Sequence, residues 1–436
     1  MKMTMTAVGD SILNQGFPAE GYDGYEKIRA LLARGQAKFA NLETCVTHYD
    51  TYASAYCGGT WISCEPRVLD QMLSYGFDFL GFANNHTMDW GPDGMLQTLS
   101  HVKKRGIAIA GAGKDLAEAS APVYRDFPGG RVALIAITSS FDDAARAGDT
   151  SRTIPGRPGL NPLRSGKYFT LNETHFNMLR EVAEATKING AADLSRRNGF
   201  RPPLPEGVCD FGGVRFRLSP DGKEEKRTSC NKKDLARTLD AIKDARYIAD
   251  YVVIMLHSHQ IRGDVNNAPD EFAVEFAHAC VVAGADVILG GGTHQFKPVE
   301  IYNGKPIFYS LGNFCFQSNV LEHQPEDMRE RFHLKDLSDV QTLAARNKGW
   351  TIGLHTQAYN FRTVIPYLEF EDGRLLRCTL SPVELGFEKP RTFKGIPYPA
   401  TKEQAQVIFN ELSGISKEQF GTKMTFAPDG AIEVEL

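Results

Sequence analysis

Short apolar runs alternate with segments of helical period along the first 320 residues. Runs at 3–9, 37–42, 77–83, 106–111, 131–138, 251–256, 286–290 and 305–310 predict strands. Between them, 66–75, 92–105, 233–250 and 270–283 space their apolar residues as helices do. Strands interleaved with helices of this length predict an α/β fold with much parallel pairing.

Two stretches break the alternation. Residues 143–232 are rich in Arg, Pro, Gly and Asn, with one helical segment near 172–187, and read as a loop-rich insertion. After 320 the α/β pattern fades. Residues 361–387 predict a β-hairpin turning at Asp372-Gly373, and 401–413 a terminal helix. The expected organisation is a main domain over 1–320 and a small β-rich C-terminal extension over 321–436.

The apolar runs end in residues that bind metal or move protons. Asp10 closes the first and Glu43 follows the second. Asn84-Asn85-His86 follows the third, with Asp89 just beyond. "YVVIMLHSH" delivers His257 and His259, and "DVILGGGTH" delivers His294. Ligand sites of open α/β sheets lie outside the carboxyl ends of the strands, so these side chains are expected to converge. Singly, each has an ordinary structural role: Asp10 a helix cap, Asn84 a turn, each histidine a hydrogen-bonded side chain. Recurrence at successive strand ends is what argues for a site. A mixed set of carboxylates, amide oxygen and imidazoles suits Mn²⁺, Fe²⁺, Zn²⁺ or Ca²⁺.

Composition narrows the partners. A net charge of −4 over 436 residues gives no reason to expect nucleic acid or a membrane surface. The start "MKMTMTAVGD" lacks the features of a signal peptide, and no window approaches the roughly 20 apolar residues of a membrane helix. Cytoplasmic residence is the expectation. The eight cysteines form no CxxC pair, which argues against a zinc knuckle or a disulfide framework. The run Gly290-Gly291-Gly292 lacks the lysine and hydroxyl spacing of a phosphate loop and instead clears space beside His294.

In order, "GDSIL", "FANLET", "ANNHTMDWG", "VVIMLHSH" and "THQFKPVEIYNGKPIFYSLGNFCF" resemble the motifs of the CapA/PgsA family, over about residues 4–320. That family is associated with poly-γ-glutamate capsule synthesis and with the calcineurin-like metallophosphoesterases. The resemblance implies a four-layer α/β/β/α sandwich with metal ligands at Asp10, Glu43, Asn84, His257 and His294. It leaves His86 free for proton transfer, with Asp89 placed to orient it. Gly292 stands where relatives carry a further histidine, so one ion is expected rather than two, with His259 as the substitute ligand.

Three functions follow. The first is hydrolysis of a phosphate ester or an amide/γ-glutamyl-type bond by metal-activated water, with His86 as general acid or base. The second is peptide epimerisation at a Cα–H by His86 with Asp89 and His294 with Asp10. The third is a non-catalytic role in capsule assembly. The substrate is expected to be an anionic small molecule or peptide, clamped by Arg157, Arg164 and Lys167 of the insertion, with Trp90 stacking on it. Trp61 is the weaker stacking candidate, and Lys297 and Glu300 are expected either to pair with each other at the surface or to touch substrate.

Overall fold

The computed structural model describes residues 2–436. Two sheets dominate. The first, ten-stranded, runs in the order Met424–Phe426, Ile432–Val434, Arg374–Glu384, Arg362–Glu371, Lys2–Ile12, Ala37–Leu42, Phe79–Gly81 and Ala108–Ala110. Asn313–Phe316 also pairs with Lys2–Ile12, and Tyr398–Pro399 with Arg374–Glu384. The second, six-stranded, runs Val299–Tyr302, Lys305–Phe308, Val287–Gly292, Tyr251–Ser258, Gly130–Thr138 and Val123–Phe127.

Alternation along the strands decides what each face buries. Met3, Met5, Ala7, Phe39 and Phe79 of the first sheet meet Val132, Leu134, Val253, Met255 and Leu289 of the second in one apolar cluster. The opposite face of the first sheet, with Val8, Ala40 and Leu80, is covered by Ile28, Val68, Met72, Met95 and Leu99. The opposite face of the second, with Ile135, Ile137, Val252 and Ile254, is covered by Ile242, Phe272, Phe276 and Cys280. Helices therefore flank both sheets. Cys280 and Cys315 are buried, and all eight cysteines are free.

The predicted strands all form, several of them shortened or extended at the ends. The run 77–83 pairs only at Phe79–Gly81, and 251–256 extends to Ser258. The insertion is a correction. Residues 146–164 are irregular, as expected, apart from the pair Gly159–Leu160, but 165–230 build a separate sheet ordered Val208–Phe211, Val214–Leu218, Ser165–Leu171 and Glu225–Cys230. Helices Glu173–Thr186 and Gly190–Arg197 accompany it. Its strands are partly exposed and rich in Arg and Lys, so no apolar alternation announces them.

The C-terminal hairpin turns at Asp372-Gly373 as expected, both residues at positive φ (50° and 78°), as a two-residue hairpin turn requires. It is no appendage. Arg362–Glu371 runs antiparallel to Lys2–Ile12, pairing Lys2 with Glu371 and Thr6 with Tyr367. The terminal helix, Lys402–Phe420, is longer than predicted, opens on a capping box from Thr401, and places Ile408 and Leu412 in the inter-sheet core. Residues beyond 320 thus share the first sheet and the central core. No helix among the described residues is long and apolar enough to cross a membrane.

Candidate metal centre

The carboxyl ends of strands from both sheets meet at one edge. Asp10 lies on the first strand opposite Asn41 and Asn313 on its two parallel neighbours, where the register shifts on both sides. Such a bulge re-aims a side chain. Asp10 is fully buried. Its carboxylate accepts from Asn41 Nδ2 at 2.7 Å and from the Gly292 N–H at 2.7 Å, and lies 3.5 Å from His257 Nδ1. Burial would raise its pKa, but His257, His294 and the Gly292 amide together hold it below the usual carboxylate value.

The glycine run makes this approach feasible. A Cβ at Gly291 would sit 2.2 Å from Asp10 Oδ1, and one at Gly290 would sit 2.3 Å from the Tyr309 carbonyl. Gly292 has φ 120°, and a Cβ there would meet the Ser258 backbone at 2.6 Å. The expected space beside His294 is therefore occupied by backbone. His294 follows in the left-handed region (φ 62°), a conformation that costs a non-glycine residue about 1–3 kcal/mol and concentrates at functional sites. Its Nδ1 is 3.0 Å from Asn313 Oδ1, so Nδ1–H donates and Nε2 is presented to the cluster. Burial first, with the neighbouring histidines, lowers its pKa to about 4 against the pull of Asp10 and Asn313.

Glu43 is the centre. It is fully buried, and neither carboxylate oxygen has a hydrogen-bond partner among the described residues. Burial, then the charges of Asp10 and Asp89, push its pKa well above the usual carboxylate value. Its Oε1 lies 3.5 Å from His257 Nε2 and 4.0 Å from His86 Nε2. Two ligand sets share it: Asp10, Glu43 and His257, and Glu43, His259 and His294, each with ligand atoms within 4.8 Å of one another. His259 lies within this distance of Glu43 and His294. Burial and the adjacent histidines hold its pKa well below the ordinary histidine value.

Asn84 is displaced from the expected ligand role. Its Nδ2 donates to the Leu42 carbonyl at 2.8 Å, and its Oδ1 accepts from the His86 N–H at 3.0 Å, so the amide is consumed in holding the turn. The amide oxygen that faces the imidazoles is that of Asn85, 2.7 Å from His257 Nε2 and 3.3 Å from His259 Nε2. These are hydrogen-bond lengths, and they are also close to the separation of about 3 Å that ligands with bonds of about 2.1 Å at right angles would have around one ion. An orphaned, buried carboxylate among amide and imidazole donors fits a divalent cation.

His86 stands at the rim of this set. Its Nδ1–H donates to Asp89 Oδ2 at 2.7 Å, which turns Nε2 toward Glu43. Asp89 is fully buried and also accepts from the Gly58 and Ile62 N–H groups, at 3.0 and 2.9 Å. Burial nonetheless leaves its pKa raised, these partners and His86 opposing the shift.

The expected substrate groups are not gathered here. Arg164 is committed to Asp234, donating from Nε at 2.7 Å and from Nη2 at 2.8 Å. Arg157 is exposed and donates to the Arg146 carbonyl, and Lys167 lies exposed on a strand of the inserted sheet. Trp90 is buried and donates to the Ile62 carbonyl, and Trp61 is wholly buried, donating to the Ser54 carbonyl. Lys297 and Glu300 do not pair: Lys297 is buried with its Nζ on the Gln260 carbonyl, while Glu300 holds His278 and Tyr309. Asn41 and Asn313 were absent from the expected set, and Asn85 stood among the strand-end residues without being assigned as a ligand. Asn85 adjoins His86, Asn41 lies two residues before Glu43, and Asn313 sits in the "SLGNFCF" segment with no named site residue beside it.

Comparison with known proteins places the chain in context. The profile of the family described as "Bacterial capsule synthesis protein PGA_cap" matches residues 4–318. Two proteins of Sinorhizobium fredii, described as uncharacterized proteins y4uA and y4sH, are each 30% identical over 434 residues, spanning 97% of this chain and 91% of theirs. The PGA biosynthesis protein CapA of Bacillus subtilis is 27% identical over 296 residues, 68% of this chain and 57% of that protein.

Proposed function

The chain belongs to the bacterial capsule synthesis protein family PGA_cap, and from that membership we propose a metal-dependent enzyme in which His86 and Asp89 move a proton beside a cation held on Glu43. The layered arrangement of two sheets between helices supports a calcineurin-like sandwich. The observation that carries the reading is Glu43, wholly buried with both oxygens unpartnered among imidazole and amide donors. One divalent ion bound there supplies Lewis-acid chemistry, polarising the oxygen of the reacting group and acidifying water.

The protein's own groups supply the rest. Asp89 fixes the His86 tautomer, so Nε2 is the atom that exchanges a proton with the substrate. Asn313 does the same for His294, and Asn41 spans Asp10 and His257. The first assignment is hydrolysis of a phosphate ester or an amide bond of γ-glutamyl type. Relatives described as PGA and capsule biosynthesis proteins make a γ-glutamyl peptide the first substrate to test.

A second assignment has its own observation. Two imidazoles, His86 and His294, are each oriented through Nδ1 by a separate partner and each present Nε2 to one site. That pairing suits epimerisation, in which one base takes the Cα proton as the other delivers a proton to the opposite face. Mass spectrometry after incubation with manganese and peptide in D₂O separates the two. Cleavage fragments support hydrolysis, a one-deuteron gain on intact peptide supports epimerisation, and full turnover by His86→Ala in either assay sinks both.

A further inference from the structure

The loop Cys57-Gly58-Gly59-Thr60 lies on the His86–Asp89 pair. Asp89 accepts from the Gly58 N–H, Asn85 Nδ2 donates to the Gly58 carbonyl at 3.0 Å, and a Cβ on Gly58 would fall 2.7 Å from the His86 ring. Gly59 stands exposed with nothing within 4 Å of where a Cβ would be. Two cations from beyond the family-matched segment flank this tip. Arg331 ends the helix Glu326–Arg331, donates to Cys57 Sγ at 3.5 Å, and lies 4.7 Å from the centre of the Trp61 ring. Arg346 ends the helix Asp339–Arg346, donates to Thr60 Oγ1, and lies 5.1 Å from the Phe332 ring centre.

Their neighbour Arg329 is neutralised by Glu326 and Asp339. Arg331 and Arg346 have no carboxylate partner among the described residues; they rest on Cys57, Trp61, Thr60 and Phe332, all neutral. Burial and the charge of Arg331 lower the pKa of Arg346, with Cys57 opposing. Adjacent guanidiniums without a counter-ion repel each other, and each is a fork suited to an oxyanion. We infer that Arg331 and Arg346, astride the Gly58-Gly59 tip, form a clamp for a carboxylate or phosphate group of the substrate. The inference deepens the proposed function and rests on it only for what lies at the reacting end. It also moves the anion site from the insertion to the C-terminal third of the chain.

The test is calorimetric titration of the manganese-loaded protein with glutarate and, separately, inorganic phosphate. Saturable binding of either is expected, and the tighter of the two names the oxyanion class. Arg331→Gln and Arg346→Gln should each weaken it about 10-fold, the loss of a charge-assisted contact. Manganese content and melting temperature are expected to stay at wild-type values, which separates lost binding from lost folding. Glu43→Gln, which removes the metal reading, should leave arginine-dependent binding in place. Two results overturn the clamp: no saturable binding by the wild type, or binding unchanged in the double arginine variant yet lost in Glu43→Gln. The latter assigns the anion to the metal centre.

Discussion

At the scale of single residues, Glu43 and Asn85 carry the most discriminating predictions. Glu43 has no role in the protein's own hydrogen-bond network, so Glu43→Gln should fold at a melting temperature equal to or above that of the metal-free wild type. It should retain under a tenth, about, of the wild-type manganese by elemental analysis, the usual scale of loss for a central ligand. Asn84 and Asn85 separate in the opposite sense. Asn85→Ala should lower metal content while sparing the fold. Asn84→Ala, which frees the Leu42 carbonyl and the His86 N–H inside the core, should lower stability by about 1–3 kcal/mol in urea melts. Gly292 gives a third outcome. At φ 120° and against the Ser258 backbone, Gly292→Ala should cost about 2–4 kcal/mol by the same measurement. Equal stability of Gly292→Ala would mean that the strand end yields and that space for a larger side chain exists there after all.

At the scale of elements, the inserted sheet is fastened to the second layer of helices by a buried ionic knot. Asp234, wholly buried on the helix Lys232–Arg246, accepts from the Arg164 N–H and guanidinium and from Arg237. Burial would raise its pKa, but these partners hold it below the usual carboxylate value. A carboxylate whose folded pKa is depressed contributes stability above its unfolded value, near 3.9, and loses it as pH falls through the folded pKa. Asp234→Asn should therefore be less stable than wild type by about 1–3 kcal/mol at pH 7, with the gap closing below about pH 4, in paired urea melts. A gap of constant size down to pH 3 would deny the charge its role. The same elements show what was legible in the sequence. Strands buried on both faces announced themselves as apolar runs, and their polar ends located Asp10, Glu43, His86, His257, His259 and His294. The inserted strands, half exposed and charged, did not. Nor did Arg331 and Arg346, because short polar helices after 320 carry no pattern tying them to a loop near residue 58. The exchange of places between Asn84 and Asn85 has a like cause: the order of two amides does not reveal which one holds its own loop and which one faces the imidazoles.

At the scale of the whole molecule, the C-terminal third completes the sheet on which the site depends. Arg362–Glu371 covers the free edge of the first strand, and Leu412 and Ile432 fill the core between the sheets. Deleting 361–436 should expose a long apolar strand edge and yield aggregated protein, read as loss of the monodisperse peak in size-exclusion chromatography. A monodisperse truncated protein that keeps its manganese would show the hairpin to be dispensable.

Asp10 sits on a strand whose two parallel partners bring Asn41 from the same end of the chain and Asn313 from a distance of some three hundred residues. Pairings of such separation are entropically slow to close. The centre therefore has an order of assembly: Asp10 and Asn41 can register early, but His294 waits for Asn313. During synthesis most of the chain must emerge before these side chains come together, so a cation held there would be captured as a late, checkpoint-like step in maturation rather than as a nucleus for it.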